Sequence, residues 1–170
     1  MTTAPPSQVD QLIELVDGVR AAVTVHADWA DTARLVAEEL RANLPDPGVL
    51  TERQRLGSPD DHPGHTLYVE PDGSFSIIGR VWRPGQITRI HDHVAWSVFG
   101  VVQGVERQEL FDAELKLISV EDHPVGHVSG VAPPGDLHRM QNVSKTTAIS
   151  IHVYGADLTR LGTGVRRYYD

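Results

Sequence analysis

The apolar positions of this chain change period once. Over residues 1–44 they recur at helical spacing, with Val9, Leu12, Ile13, Val16 and Val19 in one stripe and Trp29, Ala33, Val36, Ala37 and Leu40 in a second. Ser7 and Asp10 have the form of an N-terminal capping pair, Asp28 can cap the second helix, and the run from Pro45 to Gly48 stops it. Residues 1–48 therefore predict a helical hairpin, and residues 54–64, rich in Gly, Pro and Asp, an irregular connector.

From residue 66 the chain breaks into short runs rich in β-branched and aromatic residues. Residues 66–70, 75–83, 96–103, 105–111, 115–120, 127–131, 147–154 and 165–169 are the predicted strands. Pro71-Asp72-Gly73-Ser74 signals a hairpin turn and Gly104 a second turn. Many short strands after a helical pair predict a mainly β protein, a barrel or sandwich over residues 64–170. There is no internal repeat.

Composition narrows the class. At 170 residues the chain fits a single domain, 1–170, and no apolar run approaches the roughly 18 residues that span a bilayer. A formal charge of -8 without a long basic cluster argues against nucleic acid as the main partner. The polar, Pro-containing start from Met1 to Gln8 has no signal-peptide pattern, so the expected location is the cytoplasm. The chain has no cysteine, which excludes disulfides, thiolate ligands and cysteine nucleophiles. Any metal must be held by His, Asp or Glu.

Three segments carry candidate chemistry. In Gly85-Gln86-Ile87-Thr88-Arg89-Ile90-His91-Asp92-His93, a continuous strand would turn Arg89, His91 and His93 to one face, where two imidazoles can share a cation. Taken alone, the pair fits two surface histidines equally well. In the second segment, from Pro133 to Asn142, Pro and Gly turn the chain so that His138 begins a strand, although taken alone an ordinary hairpin with an exposed histidine fits it better. In the third, Ser150, His152 and Tyr154 share one face of a strand whose other face is aliphatic, either out in water or lining a cavity as a hydrogen-bonded row. His26, His62, His123 and His127 read as solvated surface histidines.

Together the first two segments resemble the paired motifs of the cupin superfamily. Gly85, His91, His93 and Gly104 fit the first motif, with Ser97 where a glutamate ligand is usual, and Pro133, Gly135, His138 and Asn142 fit the second. The row Ser150-x-His152-x-Tyr154, with the stretch from Val81 to Gln86 and Trp96, is similar to the thiol dioxygenases, the family of cysteine and 3-mercaptopropionate dioxygenases.

The resemblance implies a cupin barrel (a double-stranded β-helix, or jelly roll). It implies one iron(II) per chain on His91, His93 and His138, and an outer triad of Ser150, His152 and Tyr154. The implied reaction oxidises a small thiol, 3-mercaptopropionate- or cysteine-like, to its sulfinic acid with dioxygen. Without cysteine, the Cys–Tyr cross-link of mammalian members is impossible. At the family's carboxylate-gripping position stands His65, and Arg89 is the second candidate for an anionic substrate group, unless it turns outward at the rim. The implied partners are a small thiol and dioxygen, with neither nucleic acid nor membrane, in a monomer or homodimer. The competing readings are a metal-dependent cupin of other chemistry and a non-catalytic cupin that binds a small ligand.

Overall fold

A computed structural model describes residues 7–170; residues 1–6, with most of the start read above for a signal peptide, lie outside the described residues. Helix α1 (Gln8–Thr24) opens with a full capping box, in which the Ser7 side chain accepts from the Asp10 N–H and the Asp10 carboxylate accepts from the Ser7 N–H. Its buried face is Leu15, Val16, Val19 and Ala22. The predicted stripe is corrected at two positions, because Val9 and Ile13 are 68% and 52% exposed. Val9 sits in the first turn, and Ile13 lies about 100° around the helix from Leu12, off the face that Leu12, Leu15, Val16 and Val19 share.

Helix α2 (Trp29–Ala42), capped by Asp28, buries Ala33, Val36, Ala37 and Leu40 as the spacing predicts, while Trp29 stays on the exposed first turn. A 3-10 turn (Pro47–Val49) and the short helix α3 (Glu52–Arg55), with a Thr51–Gln54 capping box, lead into the irregular connector. No helix among the described residues is long and apolar enough to cross a membrane.

The strands are β1 (Gly64–Val69), β2 (Ser76–Trp82), β3 (His91–His93), β4 (Ser97–Gln103), β5 (Glu106–Phe111), β6 (Leu117–His123), β7 (Val128–Val131), β8 (His138–Asn142), β9 (Ala148–Tyr154) and β10 (Val165–Tyr168). A last helix, α4 (Leu158–Leu161), sits between β9 and β10. Gly73 and Gly104 turn the chain with φ of +76° and +77°, the left-handed conformation that favours glycine.

Two five-stranded antiparallel sheets result, β1-β2-β9-β4-β7 and β10-β3-β8-β5-β6. Strands neighbouring in space but distant in sequence, such as β2 with β9 and β3 with β8, give the cupin-type jelly roll.

Both faces of the first sheet are covered, and alternation sorts its residues between them. Ile77 and Val81 of β2, Val98 of β4 and Ile149, Ile151 and Val153 of β9 join the helical residues Leu15, Val19, Val36 and Leu40 in the main core. Gly79 sits where a Cβ would lie 2.8 Å from Leu50 Cδ2, so the chain approaches the sheet there without a side chain between. Each fully buried Leu or Val adds about 1.5–3 kcal/mol, which docks the hairpin on this face. The other face looks toward the second sheet, where Trp82, Phe99, Val101 and Ala148 meet Met140 of β8. All seven residues of β9 are buried, so its Ser-His-Tyr face does not lie in water.

Candidate active site

The site lies between the sheets. Strand β3 supplies His91 and His93 on one side of Asp92, and β8 begins with His138, the register partner of His91. One ring nitrogen from each of these buried histidines lies within 4.8 Å of the others. The remaining nitrogens settle the tautomers. Nδ1 of His91 is 2.8 Å from the Arg89 carbonyl, Nδ1 of His93 is 2.9 Å from Asp136 Oδ2, and Nδ1 of His138 is 3.3 Å from Gln108 Oε1. Carbonyl, carboxylate and amide oxygens only accept, so every Nδ1 donates and every Nε2 turns a lone pair to the common centre.

Nε2 of His91 and Nε2 of His138 are 3.1 Å apart, a distance at which two lone pairs repel unless a cation takes both. Two adjacent ligands at right angles, each about 2.1 Å from one ion, would be about 3.0 Å apart. Burial, and then the neighbouring His93, hold His91 down to about 4, and burial puts His138 well below the usual histidine range. Neutral imidazoles are the form that binds a metal. The cluster therefore fits a metal ion through three nitrogens. Ser97, where a glutamate ligand is usual in cupins, lines the cavity as the register partner of Tyr154.

Beside the cluster runs the polar row of β9. Ser150 Oγ is 2.8 Å from His152 Nε2, and His152 Nδ1 is 3.3 Å from Tyr154 Oη. Burial holds His152 neutral. The Tyr154 ring rests against Gly164, where a Cβ would come within 2.8 Å of it. His91, His93, His138, His152 and Tyr154 line one cavity of about 240 Å³.

The cation in the wall of that cavity is one the sequence reading missed. Arg80 stands on β2 opposite Ser150 and donates from Nε to Tyr154 Oη at 3.2 Å. No carboxylate pairs with it among the described residues, and no Asp or Glu lines the cavity. On β1 its register partner is Gly64, which leaves room for the guanidinium. His62, read as a solvated histidine, also lines the cavity and stacks on Trp82 with ring centroids 4.4 Å apart. The available signal was the alternation of β2, which sets Ile78, Arg80 and Trp82 on one face.

Of the two residues expected to grip the substrate, His65 faces away from the cavity and Arg89 sits at its rim. His65 is the register partner of Gly79, on the face of the sheet that looks toward Leu50, away from the cavity. Arg89 does not continue the alternation of His91 and His93, because the segment before β3 is not a strand; Gly85 turns at φ +82° and only Ile87 forms an isolated bridge. Its guanidinium lies at the cavity rim, bonded to the Asp170 carbonyl and 4.5 Å from the Tyr168 ring centroid. Asp92, on the opposite face of β3, takes Arg166 and the Tyr169 hydroxyl, which ties β10 to β3.

No family model matches the chain. Among solved structures it is similar to a protein with a double-stranded β-helix domain from Klebsiella pneumoniae, at 16% identity and a TM-score of 0.49 over 59% of this chain and 81% of that one. A cupin superfamily protein from Desulfitobacterium hafniense matches at 12% identity and a TM-score of 0.47, over 59% and 83%. A recombinant oxalate oxidase in complex with glycolate matches at 18% identity and 0.49, over 59% of this chain and 53% of that one, so the match spans about half its length. The chain is a mainly β, cupin-type fold with a helical pair on one sheet, and between its sheets lies a buried three-histidine cluster able to hold a metal ion.

Proposed function

We propose that this chain is an iron(II) thiol dioxygenase that converts a small anionic thiol and dioxygen to the sulfinic acid, RSH + O2 giving RSO2H. One observation carries the reading: a three-histidine cluster without a carboxylate ligand shares a small cavity with the Tyr154 hydroxyl at the end of a hydrogen-bonded row. Iron(II) on His91, His93 and His138 would supply Lewis acidity to the thiol sulfur and open positions for both reactants.

The chain's own residues supply the rest. Arg80, permanently charged and facing a cavity without acidic residues, draws in and orients the anionic end of the substrate. Arg89 adds a weaker positive field at the rim. Phe99, Met140 and Val131 keep water from the sulfur. Tyr154 holds or releases a proton at Oη, aimed by His152. A cavity of about 240 Å³ suits a molecule of a few heavy atoms.

The test is oxygen uptake by iron(II)-loaded protein with 3-mercaptopropionate, cysteine and cysteamine, followed by mass spectrometry of the product under labelled dioxygen. A sulfinate with both oxygen atoms from dioxygen is the expected result. Iron-loaded protein that consumes no oxygen with any thiol, or a product labelled from water, overturns the proposal.

A further inference from the structure

The row Ser150, His152, Tyr154 does not end at Ser150. Glu106 of β5 reaches across from the second sheet, fully buried, with Oε1 3.0 Å from Ser150 Oγ. Its Oε2 is buried with no hydrogen-bond partner among the described residues. A carboxyl so enclosed, at the end of a chain of donors and acceptors that opens on the cavity, has no structural need there: it saturates only one of its two oxygens.

We propose that Glu106 is a positioning residue that sets the direction of every hydrogen bond along Ser150, His152 and Tyr154, and so decides whether Tyr154 offers the cavity a proton or a lone pair. The inference rests on the proposed function only for what Tyr154 meets in the cavity.

Counting protons gives two states. Ser150 has one hydroxyl proton and two neighbours in line, Glu106 Oε1 and His152 Nε2; Trp82 Nε1, 3.4 Å away, only donates to it. When Glu106 is ionised it can only accept, so the Ser150 proton goes to Glu106. His152, neutral and carrying one ring proton, must then donate from Nε2 to Ser150, and its free Nδ1 accepts from the Tyr154 hydroxyl. Tyr154 points its proton inward and shows the cavity a lone pair.

When Glu106 is protonated, the proton on Oε1 finds Ser150, whereas on Oε2 it would have no acceptor. Ser150 then donates to His152 Nε2, His152 donates from Nδ1 to Tyr154, and the Tyr154 proton is released toward the cavity. Arg80 Nε donates to Tyr154 Oη in both states. One proton at a buried carboxyl thus reverses three hydrogen bonds without moving a heavy atom.

The charged and titratable groups around Glu106 are Arg80 on β2, His152 on β9 and its register partner His123 on β6; its partner on β8, Asn142, is uncharged. Burial holds both histidines below the usual range, so they are neutral where the carboxyl titrates. Burial also pushes Glu106 up to about 8, against the pull of Ser150 and Arg80, which puts the reversal near neutral pH.

The tautomer of His152 reads the direction without any turnover. The full chain, labelled with nitrogen-15 and loaded with zinc as a diamagnetic occupant of the three histidines, is titrated by NMR, with the His152 ring assigned from its loss in His152→Gln. The proton should sit on Nδ1 at low pH and move to Nε2 as pH rises through about 8. In Glu106→Gln, nearly identical in shape, the tautomer should stay the same throughout. The infrared carbonyl band of the buried acid should fade over the same range in the parent and be absent from the Gln variant.

A His152 tautomer that does not change between about pH 6 and about pH 10 in the parent overturns the proposal, as does a change that persists in Glu106→Gln. The parent titration decides even if the variant fails to fold. Failure of thiol oxidation with the tautomer reversal intact would reject the proposed reaction and leave the relay standing.

Discussion

Asp136 offers the sharpest test of the histidine cluster, because one carboxylate oxygen does two jobs for one ligand. Its Oδ2 accepts from the backbone N–H of His93 and from His93 Nδ1, both at 2.9 Å, and the residue is 1% exposed. The first bond holds β3 against the turn before β8; the second fixes the ring so that Nε2 faces His91 and His138. Asp136→Asn keeps an oxygen that can accept both bonds but removes the negative charge that makes the imidazole a better donor to a metal. Asp136→Ala removes both bonds and lets the ring rotate.

Loss of such an outer partner weakens metal binding about ten- to a hundredfold, or about 1.4–2.7 kcal/mol. The Asn variant should fall near the lower end and the Ala variant near the upper. Competition with a chromophoric chelator for iron(II) or zinc measures both, and denaturant unfolding of the metal-free chains separates any loss of fold, about 1–3 kcal/mol for Ala. An Ala variant that binds metal as tightly as the parent would show that His93 is not held for a metal, and the cluster would lose its best-oriented ligand.

Other outcomes follow from the same geometry. Arg80→Leu should raise KM for 3-mercaptopropionate and cysteine by about ten- to a hundredfold and leave cysteamine nearly unchanged, whereas Arg89→Leu should have a smaller effect on all three; steady-state kinetics with the three thiols checks this. Glu106 gives the metal-free chain an alkaline slope. Its folded carboxyl keeps its proton up to about 8 while the unfolded one ionises near 4.5, so stability falls as pH rises between those values, by up to about 1.4 kcal/mol per unit, and Glu106→Gln should flatten that slope in denaturant titrations. His91 gives an acidic slope of the opposite sign: the unfolded chain takes up the proton near 6.5 and the folded one only near 4, so stability falls as pH drops across that window, and His91→Gln should lessen the fall while His138 and His152, also held low by burial, keep the rest of it. Leu40→Ala, in the helix-to-sheet core far from the cavity, should cost about 2–5 kcal/mol in unfolding while leaving metal stoichiometry unchanged.

Much of this protein was legible in one dimension. The capping box at Ser7 and Asp10, the helical spacing of Val36 and Leu40, and the turns at Gly73 and Gly104 are local, set by side chains within a few residues of the backbone they organise. The common face of His91 and His93, and that of Ser150, His152 and Tyr154, needed only the alternation of a strand. At Arg89 a glycine turn and a single bridge replace the strand that the alternation assumed, and the side chain comes to the cavity rim.

What surrounds those faces was decided by pairings between distant segments. Alternation says which residues look the same way and says nothing about what they look at, so β9 taken alone read better as half-solvated, and only the two sheets enclosed it. Arg80 reaches Tyr154 across 74 residues of sequence, Asp136 reaches His93 across 43, and Glu106 reaches Ser150 across 44. None of these has a local signature, because a buried charge is tolerated only where the fold brings it a partner, and the register of β2 on β9 and of β5 on β8 exists only once the barrel has closed. The sequence alone thus determined which imidazoles and hydroxyls were available. The tertiary structure decided which oxygens orient them and which cation shares their cavity, since those depend on distances that close only on folding.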